Sequence, residues 1–291
     1  MEYNYDDVGV ESLNDETPQL CQILYSDEYK RLMGTLLAMM KKKEYSERAL
    51  ALVERGIEKL ASHYTLWNYR YNIVVNLKKS LIEELDWCET IALENEKNYQ
   101  IWNYRQMIIE KIIESQAYPA HREYPVMNAM LEEDLKNHHV WLYRKWLVER
   151  FELYQDAKEI EFVNKCIEID IRNNSAWTHR FFLMSNGNPI FQEEVQYVKE
   201  KIGQIPQNPS SWNYLLGLYK HYHQPIEQLE PFCLELADIK ADKIKCSYAL
   251  EMLARIYQPA KAVEVYKSLQ HYDPIRTNYW NYKITSLSST L

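Results

Sequence analysis

The spacing of apolar side chains predicts helices along nearly the whole chain. From Ser26, which can cap a helix, Tyr29, Leu32, Met33, Leu36, Leu37 and Met40 recur at i, i+3, i+4 and i+7, one buried helical stripe. Ser80 opens another stripe of Leu81, Leu85, Cys88, Ile91 and Ala92. It ends in the polar turn Glu94-Asn95-Glu96-Lys97-Asn98, after which Tyr99-Gln100-Ile101-Trp102 starts a new helix. Later segments read alike: an outer helix, a short polar turn, and an inner helix that opens on a tryptophan.

Those tryptophans set a period. Trp67-Asn68-Tyr69-Arg70, Trp102-Asn103-Tyr104-Arg105, Trp141-Leu142-Tyr143-Arg144, Trp177-Thr178-His179-Arg180, Trp212-Asn213-Tyr214-Leu215 and Trp280-Asn281-Tyr282-Lys283 step by 35, 39, 36 and 35 residues, and then by 68. The last gap is two periods with one decayed unit around Ser247-Tyr248-Ala249-Leu250. A fixed period of this size means stacked helix pairs, each burying its apolar side on its neighbours. The expected fold class is therefore all-α, a helical solenoid forming a single repeat domain over residues 26–291.

Residues 1–25 have no such pattern. They carry six carboxylates by residue 16 and no Lys or Arg before Lys30, and are expected to form an acidic arm, disordered or draped on a partner.

Within a unit, Trp and the residues four and seven further on are expected to share the core face: Trp67 with Tyr71 and Val74, Trp177 with Phe181 and Met184, Trp212 with Leu216 and Tyr219. An Asn four residues before Trp, at 98, 137, 173 and 208, can cap the inner helix, with His63 and Arg276 in that place in the outer units. Asn188-Pro189, Gln224-Pro225 and Gln258-Pro259 put a proline where a helix can start. The Arg three residues after Trp, at 70, 105, 144 and 180, reads as a staple to a neighbouring turn's carboxylate or carbonyls.

Composition narrows the function. Six Gly and ten Pro suit tightly joined helices, and 24 Tyr with 8 Trp can build a wide seam whose polar tips still find partners. A net charge of −8 argues against indiscriminate nucleic-acid binding, which rests on Lys and Arg meeting phosphates. Lys41-Lys42-Lys43 reads as a solvated helix end. Five cysteines without a CxxC pair indicate neither a disulfide framework nor a zinc site. The opening residues lack an apolar signal run, and no stretch has the length to cross a bilayer, so a soluble cytoplasmic protein is expected.

The candidate chemistry lies at the starts of successive inner helices, which a helix-pair solenoid sets in a row. Each presents unpaired N–H groups and the positive end of a helix dipole. Lys97, Lys136 and His139 make a positive notch there, joined by Tyr64, Tyr99 and His138. Donors converging over two or three repeats suit a phosphate or diphosphate. No nucleophile–base pair, metal-ligand cluster or Gly-rich phosphate loop accompanies them, so the chain lacks the equipment for a complete active site.

The repeat Asn-Tyr-x-x-Trp-x-x-Arg, and above all Lys97-Asn98-Tyr99-Gln100-Ile101-Trp102-Asn103-Tyr104-Arg105 and Arg172-Asn173-Asn174-Ser175-Ala176-Trp177-Thr178-His179-Arg180, resembles the alpha subunits of heterodimeric protein prenyltransferases from about Ser26 to Tyr282. The resemblance implies a right-handed superhelical solenoid of antiparallel helix hairpins, a crescent around a beta subunit that carries the zinc and the lipid pocket. It implies transfer of a farnesyl or geranylgeranyl group from its diphosphate to the cysteine of a C-terminal CaaX motif, active only in the heterodimer. No cofactor would be bound by this chain, with zinc on the beta subunit and magnesium possible in the complex.

By motif match Lys97 resembles the catalytic lysine that stabilises the leaving diphosphate. Gln100 resembles the glutamine that binds the peptide carboxylate, Tyr64 and Tyr99 the tyrosines near the lipid and diphosphate, and His139 a site histidine, while His138 stands where that family usually has Tyr. Two other readings are weighed: the alpha subunit of a Rab geranylgeranyltransferase, against which Gln100 argues, and a peptide-binding scaffold of the tetratricopeptide type, whose Trp-Leu-Gly arrangement is absent.

Overall fold

The computed structural model describes residues 3–13, 20–21 and 23–288. The chain divides into two compact units, Met1–Leu147 and Val148–Leu291. In the first, helices α1 (Asp27–Lys41), α2 (Glu47–Lys59), α3 (Tyr64–Asn76), α4 (Leu81–Glu94), α5 (Tyr99–Ile113) and α6 (Tyr124–Glu133) lead into α7 (His138–Phe151), which runs past the division. Consecutive helices α1 to α3 pack on each other, and so do α4 and α5. In addition α3 packs on α5 and α4 on α6, so hairpins stack inner helix on inner helix and outer on outer.

The second unit repeats the plan with α8 (Ala157–Ile169), α9 (Asn174–Asn186), α10 (Phe191–Gln204), α11 (Pro209–His221), α12 (Glu230–Leu236), α13 (Ser247–Ile256), α14 (Pro259–Tyr272) and α15 (Thr277–Ser288). Inner helices α9 and α11 again pack together. The decayed unit is present as α12 and α13, with a small antiparallel pair between them, Ala237–Asp238 with Lys243–Ile244. Leu250 is fully buried where the other inner helices have Trp, and Cys246 stands in the place of the capping Asn.

Local chemistry explains the hairpin boundaries. Ser26, Ser46 and Ser80 accept from the backbone N–H three residues on and open α1, α2 and α4. The motif asparagines do the same for the inner helices: Asn98 caps Gln100, Asn137 caps His139 and Val140, Asn173 caps Ser175 and Ala176, and Asn208 caps Ser210. Each such cap contributes about 1 kcal/mol. The caps also lock neighbouring repeats, because Asn137 Nδ2 donates to the Glu96 carbonyl at 2.8 Å, Asn208 Nδ2 to Ile171 at 2.7 Å and Cys246 Sγ to Pro206 at 2.8 Å. The indoles of Trp67, Trp141, Trp177 and Trp212 donate to the carbonyl six residues earlier, which folds each polar turn under its own inner helix.

Two expectations need correction. The core face does not include the position four after Trp: Tyr71, Phe181 and Leu216 are only half-buried. The buried positions are Trp and those two, three, six and seven residues on, such as Tyr69, Arg70, Ile73 and Val74 after Trp67. At about 100° per residue they span an arc with Trp at one edge, and the fourth residue falls just outside it. Pro189 precedes α10 by two residues and Ile190 occupies the cap, so this proline ends the connection without starting the helix. In keeping with the missing Asn, His63 gives α3 no side-chain cap, and among the described residues its buried Nδ1 has no hydrogen-bond partner.

Of the acidic N-terminal segment, residues 3–13 lie along α1 and α2. Tyr5 Oη donates to the Arg48 carbonyl at 3.0 Å, and the Arg48 guanidinium bridges Asp7 and Glu44. Val8 is buried, and Glu11 N–H donates to Gly34 O at 3.1 Å. A Cβ at Gly34 would run into the Glu11 carbonyl, so the close approach requires glycine. Residues 14–19 and 22 of that segment lie outside the described residues.

Candidate functional site

The inner-helix starts are held in place by buried ion pairs beneath them. Arg70 forks onto Glu84 of α4 at 2.5 and 3.0 Å, and Tyr104 of α5 donates to the same carboxylate at 2.7 Å. Arg105 puts two N–H groups on Glu123 at 2.9 and 2.8 Å and a third on the Leu85 carbonyl, while Tyr143 donates to Glu123 at 2.7 Å. In the second unit Arg180 forks onto Glu194 at 2.7 Å on both arms, and Tyr214 donates to it. His179 holds Glu159 at 2.6 Å where the other units use Tyr.

One outer carboxylate thus joins the inner helix before it to the inner helix after it. Burial, then the adjacent carboxylates, push the phenols of Tyr104, Tyr143 and Tyr214 well above their ordinary value, so they remain donors. Arg70 and Arg180 also sit over the rings of Trp87 and Tyr197, with the guanidinium carbon 3.2 and 3.8 Å from the ring centres. The arginine staple is therefore real, and its partner is a carboxylate at the start of the outer helix.

On the edge this framework supports, three of the expected site residues come together. Lys97 lies in the turn before α5, its side chain 70% exposed, and its ammonium pairs with Asp134 in the turn before α7. Tyr99, 60% exposed, starts α5, and its ring centre lies 6.0 Å from that of His139 on the first turn of α7. Desolvation, then His138 and Lys97, lower the His139 pKa, so the imidazole is neutral at neutral pH. His138 follows at 5.6 Å.

Gln100 is only 8% exposed, and among the described residues its side-chain amide has no hydrogen-bond partner. Tyr64 holds the same place on α3, 69% exposed, with His63 at 6.5 Å. Among the described residues it makes no hydrogen bond or ring contact with Lys97, Tyr99 or His139.

Sequence reasoning passed over two kinds of residue. Asp134 is one: its Oδ1 accepts from Lys136 N–H at 3.0 Å and its Oδ2 meets Lys97, and these bonds hold its carboxyl below the usual range. The framework glutamates are the other. Each precedes the Tyr or His that it meets by 20 residues, a second spacing written through the repeats. Among the described residues no group of three or more His, Cys, Asp and Glu is placed to hold a metal ion, and no helix is long and apolar enough to cross a membrane.

The chain matches the protein prenyltransferase alpha subunit repeat over residues 46–77, 81–112, 120–151 and 156–187. The protein farnesyltransferase/geranylgeranyltransferase type-1 subunit alpha of Candida albicans is 53% identical over 300 residues, covering 99% of this chain and 98% of that one. Its namesake in Dictyostelium discoideum is 35% identical over 308 residues, covering 99% and 93%. Among solved structures, Candida albicans protein geranylgeranyltransferase-I complexed with GGPP matches with a TM-score of 0.93 at 52% identity, over 98% of this chain and 99% of that chain.

Proposed function

The chain belongs to the protein prenyltransferase alpha subunits, and on that premise we infer that it is the alpha subunit shared by farnesyltransferase and type I geranylgeranyltransferase, working as a heterodimer with a beta subunit. The observation that carries this reading is likeness over the full length to a type-1 alpha subunit and to a geranylgeranyltransferase-I structure. Neither the Rab enzyme nor the peptide scaffold is favoured by these relatives.

The reaction joins the sulfur of a CaaX cysteine to C1 of the isoprenoid, breaks the C1–O bond and releases diphosphate. In this reading zinc would be held by the beta subunit and would favour the thiolate form of the CaaX cysteine, with magnesium possible in the complex. This chain's own work is electrostatic. Lys97 meets the charge that grows on the leaving oxygens, help that acts mainly in the transition state. Tyr99 and the neutral His139 offer O–H and N–H donors beside it, and Tyr64 contributes from α3. Gln100, buried with its amide unspent, hydrogen-bonds the terminal carboxylate of the CaaX peptide. We place the protein in the cytoplasm, and its residues 1–25 as an arm preceding the repeat domain.

Co-expression with a beta subunit tests the reading. The purified pair should transfer farnesyl or geranylgeranyl to a CaaX peptide. Gln100→Ala should raise the KM for that peptide about tenfold, the loss of one hydrogen bond to a charged group, with isoprenoid affinity unchanged. A chain that stays soluble and monomeric beside both kinds of beta subunit and supports no transfer would end it. An unaltered peptide KM would remove Gln100 from the site.

A further inference from the structure

We propose that Asp134 is a positioning residue for prenyl transfer, fixing the Lys97 ammonium at the place where the leaving diphosphate develops charge. The proposal rests on the reading of Lys97 given above. Lys97 sits on an exposed, flexible four-carbon stem in a polar turn. Left alone it would sample many rotamers. Asp134 comes from the next turn, 37 residues away, and its two oxygens have separate tasks. Oδ1 accepts the Lys136 N–H at 3.0 Å, and the Asp134 N–H bonds back to the Met130 carbonyl, so the carboxylate is anchored to the backbone that ends α6. Oδ2 takes Lys97.

The lysine is thereby tied to a rigid turn and retains two further N–H donors for oxygens of a ligand. The same negative charge repels a diphosphate. Asp134 should therefore improve the chemical step while weakening ground-state binding of the isoprenoid, two effects of opposite sign that a structural role would not give.

The test uses the purified heterodimer with Asp134→Asn, Asp134→Glu, Lys97→Ala and the double variant Lys97→Ala/Asp134→Asn, with single-turnover transfer and isoprenoid-diphosphate binding as readouts. Asparagine keeps an oxygen for Lys136 N–H, so the turn persists while the charge is lost. Asp134→Asn should slow transfer about tenfold, the cost of giving the lysine back part of its rotamer freedom. Isoprenoid binding should be equal or tighter. Glutamate should recover most of the rate, and the asparagine change should add nothing once Lys97 is alanine.

Asp134→Asn at the wild-type rate, with Lys97→Ala slow, overturns the proposal and leaves the Lys97 reading intact. So does an equal loss with and without Lys97, or a slow variant that binds isoprenoid more weakly. Lys97→Ala at the wild-type rate removes both.

Discussion

Five, three and two residues before Trp102 the first unit has Lys97, Tyr99 and Gln100; in the second, Arg172, Asn174 and Ser175 hold those places before Trp177, and Gln207, Pro209 and Ser210 before Trp212. Beneath these positions the units agree closely. Both have the capping Asn, the indole bonded to its own turn, and an arginine forked onto a buried glutamate that also accepts from the next Tyr. The acid that meets Lys97 stands seven residues before Trp141; seven before Trp212 is Ile205, and Arg172 has no ion pair among the described residues. The framework residues beneath make the scaffold, and the residues at the helix starts are free to differ. Chemistry can be written on one unit without redesigning the other.

The hardest test of the shared framework is Arg105→Leu beside Arg180→Leu. Each leaves a buried carboxylate without its cation, and each should cost about 3–5 kcal/mol in denaturant unfolding of the heterodimer. Losses differing by more than about 2 kcal/mol would break the comparison at its base. Next in size, Lys97→Ala should lower kcat about a hundredfold, as removal of one preorganised donor does, while Arg172→Ala leaves it within about twofold. Equal losses would mean that the catalytic edge extends into the second unit.

The smallest effect is electrostatic. His139 has a folded pKa below its unfolded value near 6.5, so the native state resists the proton. Stability should be full above pH 6.5, decline as pH falls toward the lowered folded value, and level off beneath it. His139→Gln should flatten that segment of the stability–pH curve, whereas Ser175, its counterpart in the second unit, has nothing to titrate.

Much of this is legible in the sequence. The tryptophan period located every hairpin, including the one where Leu250 replaces Trp, because equal spacing survives the loss of a motif residue. The caps followed from Asn98, Asn137, Asn173 and Asn208 because a helix start exposes N–H groups that a short side chain can reach. The core face was misjudged by apolarity alone. Arg70, Arg105, Glu84 and Glu123 are polar yet buried, since each neutralises a partner that only the stacking of hairpins supplies. The spacing of 20 residues from Glu to Tyr carried that information and is visible only once the pairing is known. Asp134 was hidden for another reason: one acid in a polar turn looks like any other, and its significance depends on the register between turns 37 residues apart. Lys97, Tyr99 and His139, in contrast, were placed together by the row of helix starts.

Glu84, Glu123 and Glu194 each answer to two inner helices, one earlier in the chain and one later. As the polypeptide leaves the ribosome, a finished hairpin thus carries an arginine without its buried glutamate until its successor has folded. The growing end cannot settle by itself. Synthesis should proceed with one loose hairpin always waiting at the exit, and a truncation that stops between such an arginine and its glutamate should yield a chain that chaperones retain.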